Sequence, residues 1–123
     1  MPTSADFQSK LCYDKTATIT IADSTTVSNA VDLNGTKLVG IFVPSTFDGT
    51  AFTFTACDTV GGTYLAVQID HTSSAAYTVT TTASRYVPLA NLDIPAGLRF
   101  IKIVTSSAQT TTNTIFTLAT LPV

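Results

Sequence analysis

The stretch TKLVGIFVPSTFDGTAFTFTAC, residues 36–57, predicts two β-strands separated by a turn. The first segment is apolar and ends at Pro44, because proline has no N–H to donate to a strand ladder. An Asp-Gly pair then favours a turn, and after it Phe52 and Phe54 alternate with threonines, so both rings lie on one face. This pattern indicates antiparallel β-structure rather than helix.

The rest of the chain repeats this pattern of short strand-like segments between turn residues. In residues 16–22, for example, the apolar side chains share one face and three threonines the other. Asn34-Gly35 predicts a type I′ hairpin turn, because both residues tolerate a positive φ. Nine strands are expected, over residues 16–22, 27–33, 36–43, 50–57, 63–69, 75–81, 85–89, 98–105 and 113–119. No segment has helical periodicity, so we predict one all-β, antiparallel domain over residues 16–123, either a sandwich or a barrel.

Residues 1–15 lack the alternation and carry four of the fourteen charged residues, so we predict an N-terminal arm there. Fully extended, such an arm reaches about 50 Å, at roughly 3.3 Å per residue. It lacks the basic start and apolar stretch of a signal peptide, and no apolar run of the chain is long enough to span a bilayer. We therefore expect that the protein is synthesised in a cytoplasm and does not associate with a membrane.

The composition predicts a surface with little charge. Only 11% of the residues are charged, against about 25% in an average soluble domain, and the chain has no Glu, 25 Thr and 10 Ser. Such a β-domain has little electrostatic protection against edge-to-edge association. Two explanations stay open: a hardy extracellular domain, or a surface that packs against other subunits.

Charge and chemistry exclude several classes of function. The net charge is −2 and the six cations are scattered, which argues against a nucleic-acid partner. With one His and no Glu, catalytic groups are few; Asp70-His71 offers triad ingredients only superficially, because neighbouring strand residues point apart. The aspartates lack the spacing of a calcium loop and fit turns better. We expect no enzyme activity, no metal and no cofactor, with Cys12 and Cys57 as free thiols.

The segment AGLRFIKIV, residues 96–104, is apolar on both faces of a strand and charged on both. Strict alternation puts Lys102 on one face and Arg99 on the other. A β-bulge near Phe100–Ile101 would bring both cations to the outer face. Alternatively, the core covers one side of the strand and a neighbouring subunit or the arm covers the other, and each cation then needs an Asp or a backbone carbonyl as its partner. We predict that Arg99 or Lys102 makes an intersubunit contact.

Two longer stretches carry a family resemblance. VDLNGTKLVGIFVPSTFDGTAFTFTACDTVGGTYLAV and ASRYVPLANLDIPAGLRFIKIVTSS resemble small β-sandwich head-decoration (cement) or head-fibre proteins of tailed bacteriophages, over about residues 27–105. The segment AGLRFIKI is also similar to a strand of discoidin-like, galactose-binding modules. Together these resemblances imply an all-β, antiparallel, jelly-roll-like β-sandwich of about nine strands with an extended N-terminal arm.

The first resemblance implies a non-enzymatic virion protein that binds the assembled lattice of the major capsid protein, commonly as a homotrimer. The protein would lie on the capsid surface after assembly in the cytoplasm of the bacterial host. The arm would lie across the capsid, with Phe7, Leu11 and Tyr13 as its expected contacts. Arg99 and Lys102, expected at a subunit contact from the charged strand, complete the set of capsid or subunit contacts.

Two alternatives remain. One is a structural subunit of a phage tail or baseplate. The other is a glycan-binding module, which predicts an exposed Tyr64 or Tyr77 beside Asp or Asn on a loop or concave face.

Overall fold

The computed structural model describes residues 16–110 and 113–122. The predicted arm, with Phe7, Leu11 and Tyr13, lies outside the described residues, as does Cys12. The described part of the chain is all-β, as predicted, with one short 3-10 turn at Pro95–Gly97. Its nine strands are β1 (Thr16–Ile21), β2 (Val31–Asp32), β3 (Thr36–Val43), β4 (Ala51–Cys57), β5 (Leu65–Ala66), β6 (Thr78–Thr80), β7 (Arg85–Pro88), β8 (Phe100–Thr105) and β9 (Thr114–Pro122).

The strands form two antiparallel sheets, which decides between the sandwich and the barrel. Sheet A has the order β1-β9-β3-β7, and sheet B has the order β2-β8-β4-β5, with β6 also paired to β4. The first strands pair with the last in a nested series, β1 with β9, β2 with β8, β3 with β7, and β4 with β5 and β6. With β5 and β6 sharing the place of one strand, this is the arrangement of a jelly roll.

The core forms between the two sheets from the alternate residues that the sequence indicates. Ile19 and Ile21 of β1 are fully buried, as are Ile101 and Ile103 of β8. Phe52 lies at the centre of an aromatic cluster, with its ring centroid 5.2 Å from Phe116, 5.8 Å from Phe54 and 5.9 Å from Phe47. Each such side chain contributes roughly 1.5–3 kcal/mol through burial.

The Asn34-Gly35 turn has the predicted backbone but not the predicted hairpin. Asn34 and Gly35 have φ values of 48° and 76°, and the Thr36 N–H donates to the Leu33 carbonyl at 3.0 Å. The flanking strands nevertheless lie in different sheets, so the hairpin prediction is wrong. Leu33 is buried in the core, and the turn therefore carries the chain from one layer to the other.

One strand of sheet B is interrupted, and this shortens two predicted strands. β5 and β6 both run antiparallel to β4, with Ala66 opposite Thr55 and Thr78 opposite Thr53. Between them, residues 67–77 form a small hairpin at the edge of the sheet. The Val67 N–H still donates to the Phe54 carbonyl of β4 (3.1 Å), and the Ile69 N–H donates to the Ala75 carbonyl (3.0 Å).

At the tip of this hairpin, Asp70 Oδ1 accepts hydrogen bonds from the backbone N–H groups of Thr72 and Ser73, both at 2.8 Å. The Thr72 hydroxyl also donates to this carboxylate, and these bonds lower the pKa of Asp70. Asp70 therefore organises a turn, as the sequence indicates for the aspartates.

Gln109, in the β8–β9 connection, is a fully buried polar residue that ties loops together. Its Oε1 accepts from the Asp48 N–H and the Thr114 hydroxyl, both at 2.9 Å. Its Nε2 donates to the Asp48 carbonyl at 3.0 Å, and the Asp48 carboxylate in turn accepts from the Thr110 N–H at 3.0 Å. The connection is thus held by these side-chain hydrogen bonds together with backbone bonds of Gln109 to Ser24 and Thr25.

Strand β8 settles the question of the bulge. Its register with β4 runs without a shift from Phe100 opposite Cys57 to Thr105 opposite Phe52, so a bulge at Phe100–Ile101 is wrong. The Arg99 side chain lies outside the core because the strand begins one residue after it. A register shift does occur in β3, between Leu38 and Gly40.

Candidate interaction surfaces

The outward side of sheet A presents an apolar surface, here called the aromatic face. Phe42 and Tyr86 lie opposite each other on β3 and β7, with ring centroids 4.6 Å apart, and are 49% and 47% exposed. Ile115 on β9 is 50% exposed. The face consists of Gly40, Phe42, Tyr86, Pro88, Ile115, Thr117, Ala119 and Leu121.

Charge is nearly absent from this side of the sheet. Among the described residues, Lys37 is the one charged residue at an outward position of a sheet A strand, opposite Leu121 at one end. The remaining outward positions are apolar or threonine. Exposed apolar patches are frequent at the interaction sites of proteins.

Gly40 sets the position of the Tyr86 ring. A Cβ at this position would overlap the Tyr86 hydroxyl, so the ring lies over the bare backbone of β3. Gly40 itself is buried beneath it. The glycine thus leaves room for the tyrosine ring beside Phe42, and the planes of the two rings are inclined by 50°.

Lys102, a predicted contact residue, lies on the outward side of sheet B and is half-buried. Its Nζ is 4.3 Å from the centroid of the Tyr64 ring, an attraction between a cation and an aromatic face. Tyr64 in turn donates its hydroxyl to the Val60 carbonyl at 2.9 Å. The β4–β5 loop of the same chain therefore contacts this side of β8. Coverage of the same side by a neighbouring subunit or by the arm stays a prediction.

Arg99, the other predicted contact residue of the domain, is exposed and directly precedes β8. Its Nε is 3.4 Å from Asp32 Oδ1, and its guanidinium carbon is 4.9 Å from the centroid of the Phe100 ring. The structure thus gives the two cations different partners within the chain instead of one shared site. A contact of either with another subunit stays a prediction.

A shallow cleft of about 490 Å³, here called the end cleft, opens where β4 ends and β8 begins. Ala56 and Leu98 pack against the core at this point, and Asp58 and Arg99 stand at the rim. The cleft is lined by Ala56, Cys57, Asp58, Thr63, Leu65, Gly97, Leu98 and Arg99. Cys57 is a free thiol, as predicted for this residue, with Sγ 3.7 Å from Asp58 Oδ1.

The described residues contain no arrangement suited to metal binding. Among residues 16–110 and 113–122, no three His, Cys, Asp or Glu side chains are grouped as metal ligands. His71 is exposed at the tip of the 67–77 hairpin. The same part of the chain has no helix that could cross a membrane.

The tyrosines named for glycan binding differ in their surroundings. Tyr77 is buried, and its hydroxyl donates to the Ala90 carbonyl, so it offers no platform. Tyr64 is half-buried beside the end cleft, and the pKa of its phenol is raised by desolvation and by the neighbouring Cys57.

The aromatic face was not foreseen from the sequence, which places Phe42 and Tyr86 among strand aromatics expected mostly in the core. The register shift in β3 explains this: both Leu38 and Ile41 are buried, so the shift between them turns Phe42 outward. A strand with apolar residues on both faces gives no signal for the position of a bulge.

No family model, curated protein or solved structure matches this chain. The resemblance to phage head proteins therefore stays a prediction.

Proposed function

We propose that the protein is a non-enzymatic structural subunit of a virion, a capsid decoration or cement protein that binds the assembled major capsid protein lattice. The observation that carries the proposal is the aromatic face, a nearly uncharged outer sheet surface with Phe42 and Tyr86 side by side. The jelly-roll arrangement is in keeping with it, because viral capsid domains commonly have this architecture.

The chemistry of the face favours a protein partner over a sugar. Protein interface cores are depleted of charge and enriched in aromatic residues, and tyrosine is frequent among the side chains that dominate binding energy. A sugar platform needs hydrogen-bonding groups beside the rings. The nearest outward neighbours here are Pro88, Ile115 and Thr117, which together supply a single hydroxyl.

The edges of sheet A support assembly on the same side. The β7 edge carries Pro88, which protects an edge strand from pairing with another chain. The β1 edge has neither a charge nor a proline, although Asn29 occupies both the N–H and the carbonyl of Thr20. We infer that the β1 edge and the aromatic face form one continuous contact surface, which includes Thr16, the first described residue.

The test is co-sedimentation with assembled, undecorated shells of the major capsid protein encoded in the same genome. Wild-type protein is expected to sediment with the shells, and Phe42→Asp to bind about tenfold more weakly or worse, because it puts a charge into the centre of the contact. Thr78→Asp adds the same charge to an exposed position of sheet B and is the matched control. Circular dichroism verifies the fold of both variants.

Failure of the wild-type protein to bind shells would contradict the proposal, as would equal binding by the two variants. Binding to purified tails in place of shells would indicate a tail or baseplate subunit. Light scattering on the unbound protein tests the predicted homotrimer.

A further inference from the structure

We propose that the end cleft is a binding site for a neutral saccharide, such as one hexose unit of a larger glycan. The cleft lies at the end of sheet B, whereas the aromatic face is the outward side of sheet A. The inference therefore does not rest on the proposed capsid role, and the two can be tested separately.

The size and floor of the cleft suit one sugar ring. Its volume of about 490 Å³ lies within the range of small-molecule sites, roughly 300–1,000 Å³. Ala56 and Leu98 form an apolar floor that continues into the core. Leu65 stands at the edge and is 67% exposed, although its short strand is paired to β4. These apolar groups fit the C–H face of a pyranose.

The rim carries hydrogen-bonding groups of both kinds. Asp58 is exposed and supplies carboxylate acceptors, and Thr63 supplies a hydroxyl that donates or accepts. Arg99 uses its Nε for Asp32, so its two Nη groups remain as donors. Three separate segments of the chain thus bring complementary groups to one opening.

The opening carries charges of both signs, and Asp32, 3.4 Å from Arg99, already offsets part of the charge of the guanidinium. An anion attracted by Arg99 also meets the Asp58 carboxylate, and a cation attracted by Asp58 meets the guanidinium. Sugar hydroxyls donate and accept at once, so they satisfy both groups without adding charge.

The wall of the cleft is held in place before any ligand binds. The Gly62 N–H donates to the Thr59 carbonyl at 3.3 Å, and Tyr64 is fixed through its hydroxyl to Val60 and through its ring to Lys102. Thr63 and Leu65, the two lining residues of this wall, flank Tyr64 in the chain. A preformed wall lowers the ordering cost of binding.

The experiment is a nuclear magnetic resonance titration of the full chain with the methyl glycosides of glucose, galactose, mannose and N-acetylglucosamine. We expect at least one of them to produce saturable shifts of the Gly62, Leu65 and Gly97 amides. Citrate and spermidine, an anion and a cation, serve as charged comparators and are expected to leave these amides unshifted.

Variants separate the cleft from the rest of the surface. Asp58→Ala and Arg99→Lys are each expected to weaken glycoside binding about tenfold, since each alters one half of the rim. Phe42→Asp, on the other sheet, is expected to leave it unchanged and to lose only shell binding. Dispersed spectra of each variant confirm folding. The proposal is overturned if none of the four glycosides saturates, if citrate or spermidine saturates the same amides, or if both rim variants bind like wild type.

Discussion

The polar side chains at the two ends of the β4–β8 pair differ in burial and in hydrogen bonding. At one end, where β4 begins and β8 ends, Gln109 is 0% exposed and joins Asp48, Ser107 and Thr114 through four side-chain hydrogen bonds. At the other, the end cleft leaves Asp58 and Arg99 at the rim, and the guanidinium has a 3.4 Å ion pair. We call the first the closed end.

The difference shows how a sandwich divides stability and recognition between its ends. A buried polar network stabilises only when every member is bonded, and the described buried side chains contain no unsatisfied nitrogen or oxygen atom. Donors and acceptors that are exposed to solvent contribute little to folding stability, and because they are exposed they stay available to a ligand. Substitutions at the closed end should therefore lower stability, and those at the end cleft should lower binding.

The largest expected effect is that of Gln109→Leu. The leucine removes the partners of the Asp48 N–H and carbonyl and the acceptor of the Thr114 hydroxyl. Thr114 is fully buried, so water cannot fully compensate for the loss. We expect a loss of about 3 kcal/mol in the free energy of unfolding and a Tm lower by roughly 10 °C. Urea and thermal denaturation measure both quantities.

Gln68→Leu is the matched control, because Gln68 also donates two hydrogen bonds through Nε2, to Asp70 and Ser73, but is exposed. Its loss is expected to stay below about 1 kcal/mol. Equal losses in the two variants would remove the distinction between the ends.

The sequence predicts local backbone features of this fold better than it predicts which strands pair with each other. Alternation in residues 16–22 gives the correct inward face, and Asn34-Gly35 has the positive φ values that its side chains permit. The strands before and after that turn join different sheets. This outcome depends on the burial of Leu33 in the core, a tertiary effect with no local signal.

The sequence does not predict the aromatic face or the end cleft, for two different reasons. The aromatic face depends on the register shift between Leu38 and Gly40, and either face of that apolar strand could have been buried. The end cleft combines residues 56–65 with residues 97–99, which are distant in sequence. The sequence does identify Arg99 as unusual, but only the register shows that the strand starts after it.

A smaller effect is expected for Gly62→Ala in the wall of the cleft. The added Cβ would lie 2.5 Å from Cys57 Sγ and 2.6 Å from Thr59 Oγ1, so those side chains must move. Both can rotate, and we expect a loss of about 1 kcal/mol, measured by urea denaturation. Cys57→Ala should restore part of it in the double variant, because the Thr59 contact remains. Gly61→Ala has open space around its Cβ and should be neutral; a loss there equal to that of Gly62→Ala would show that the contact is not the cause.

Tyr64 supplies a pH-dependent probe of the same wall. Desolvation and the charge of Cys57 raise its pKa above the ordinary 10.0, so the folded protein favours the neutral phenol. This contribution to stability is present below pH 10 and is lost as the pH rises through the folded value. Cys57→Ala should lower the pKa of Tyr64 without returning it to 10.0, because desolvation remains. An ultraviolet titration of the phenolate, assigned with Tyr64→Phe, measures the change, and an unaltered pKa would contradict it.

The smallest effect on stability is expected for Arg99→Ala. The two side chains of its ion pair are 62% and 38% exposed, and exposed pairs contribute about 0–1 kcal/mol. We expect a loss below about 0.5 kcal/mol, reduced further by salt. Asp32→Ala should cost more than Arg99→Ala, because Asp32 Oδ1 also accepts the Asn34 N–H at 2.8 Å and so holds the turn. A double-variant cycle separates the pair from the turn, and a coupling above about 1 kcal/mol would make Arg99 a structural residue. With a weak coupling, the fold does not need the guanidinium, and a tenfold loss of glycoside binding in Arg99→Lys can then be assigned to the cleft alone.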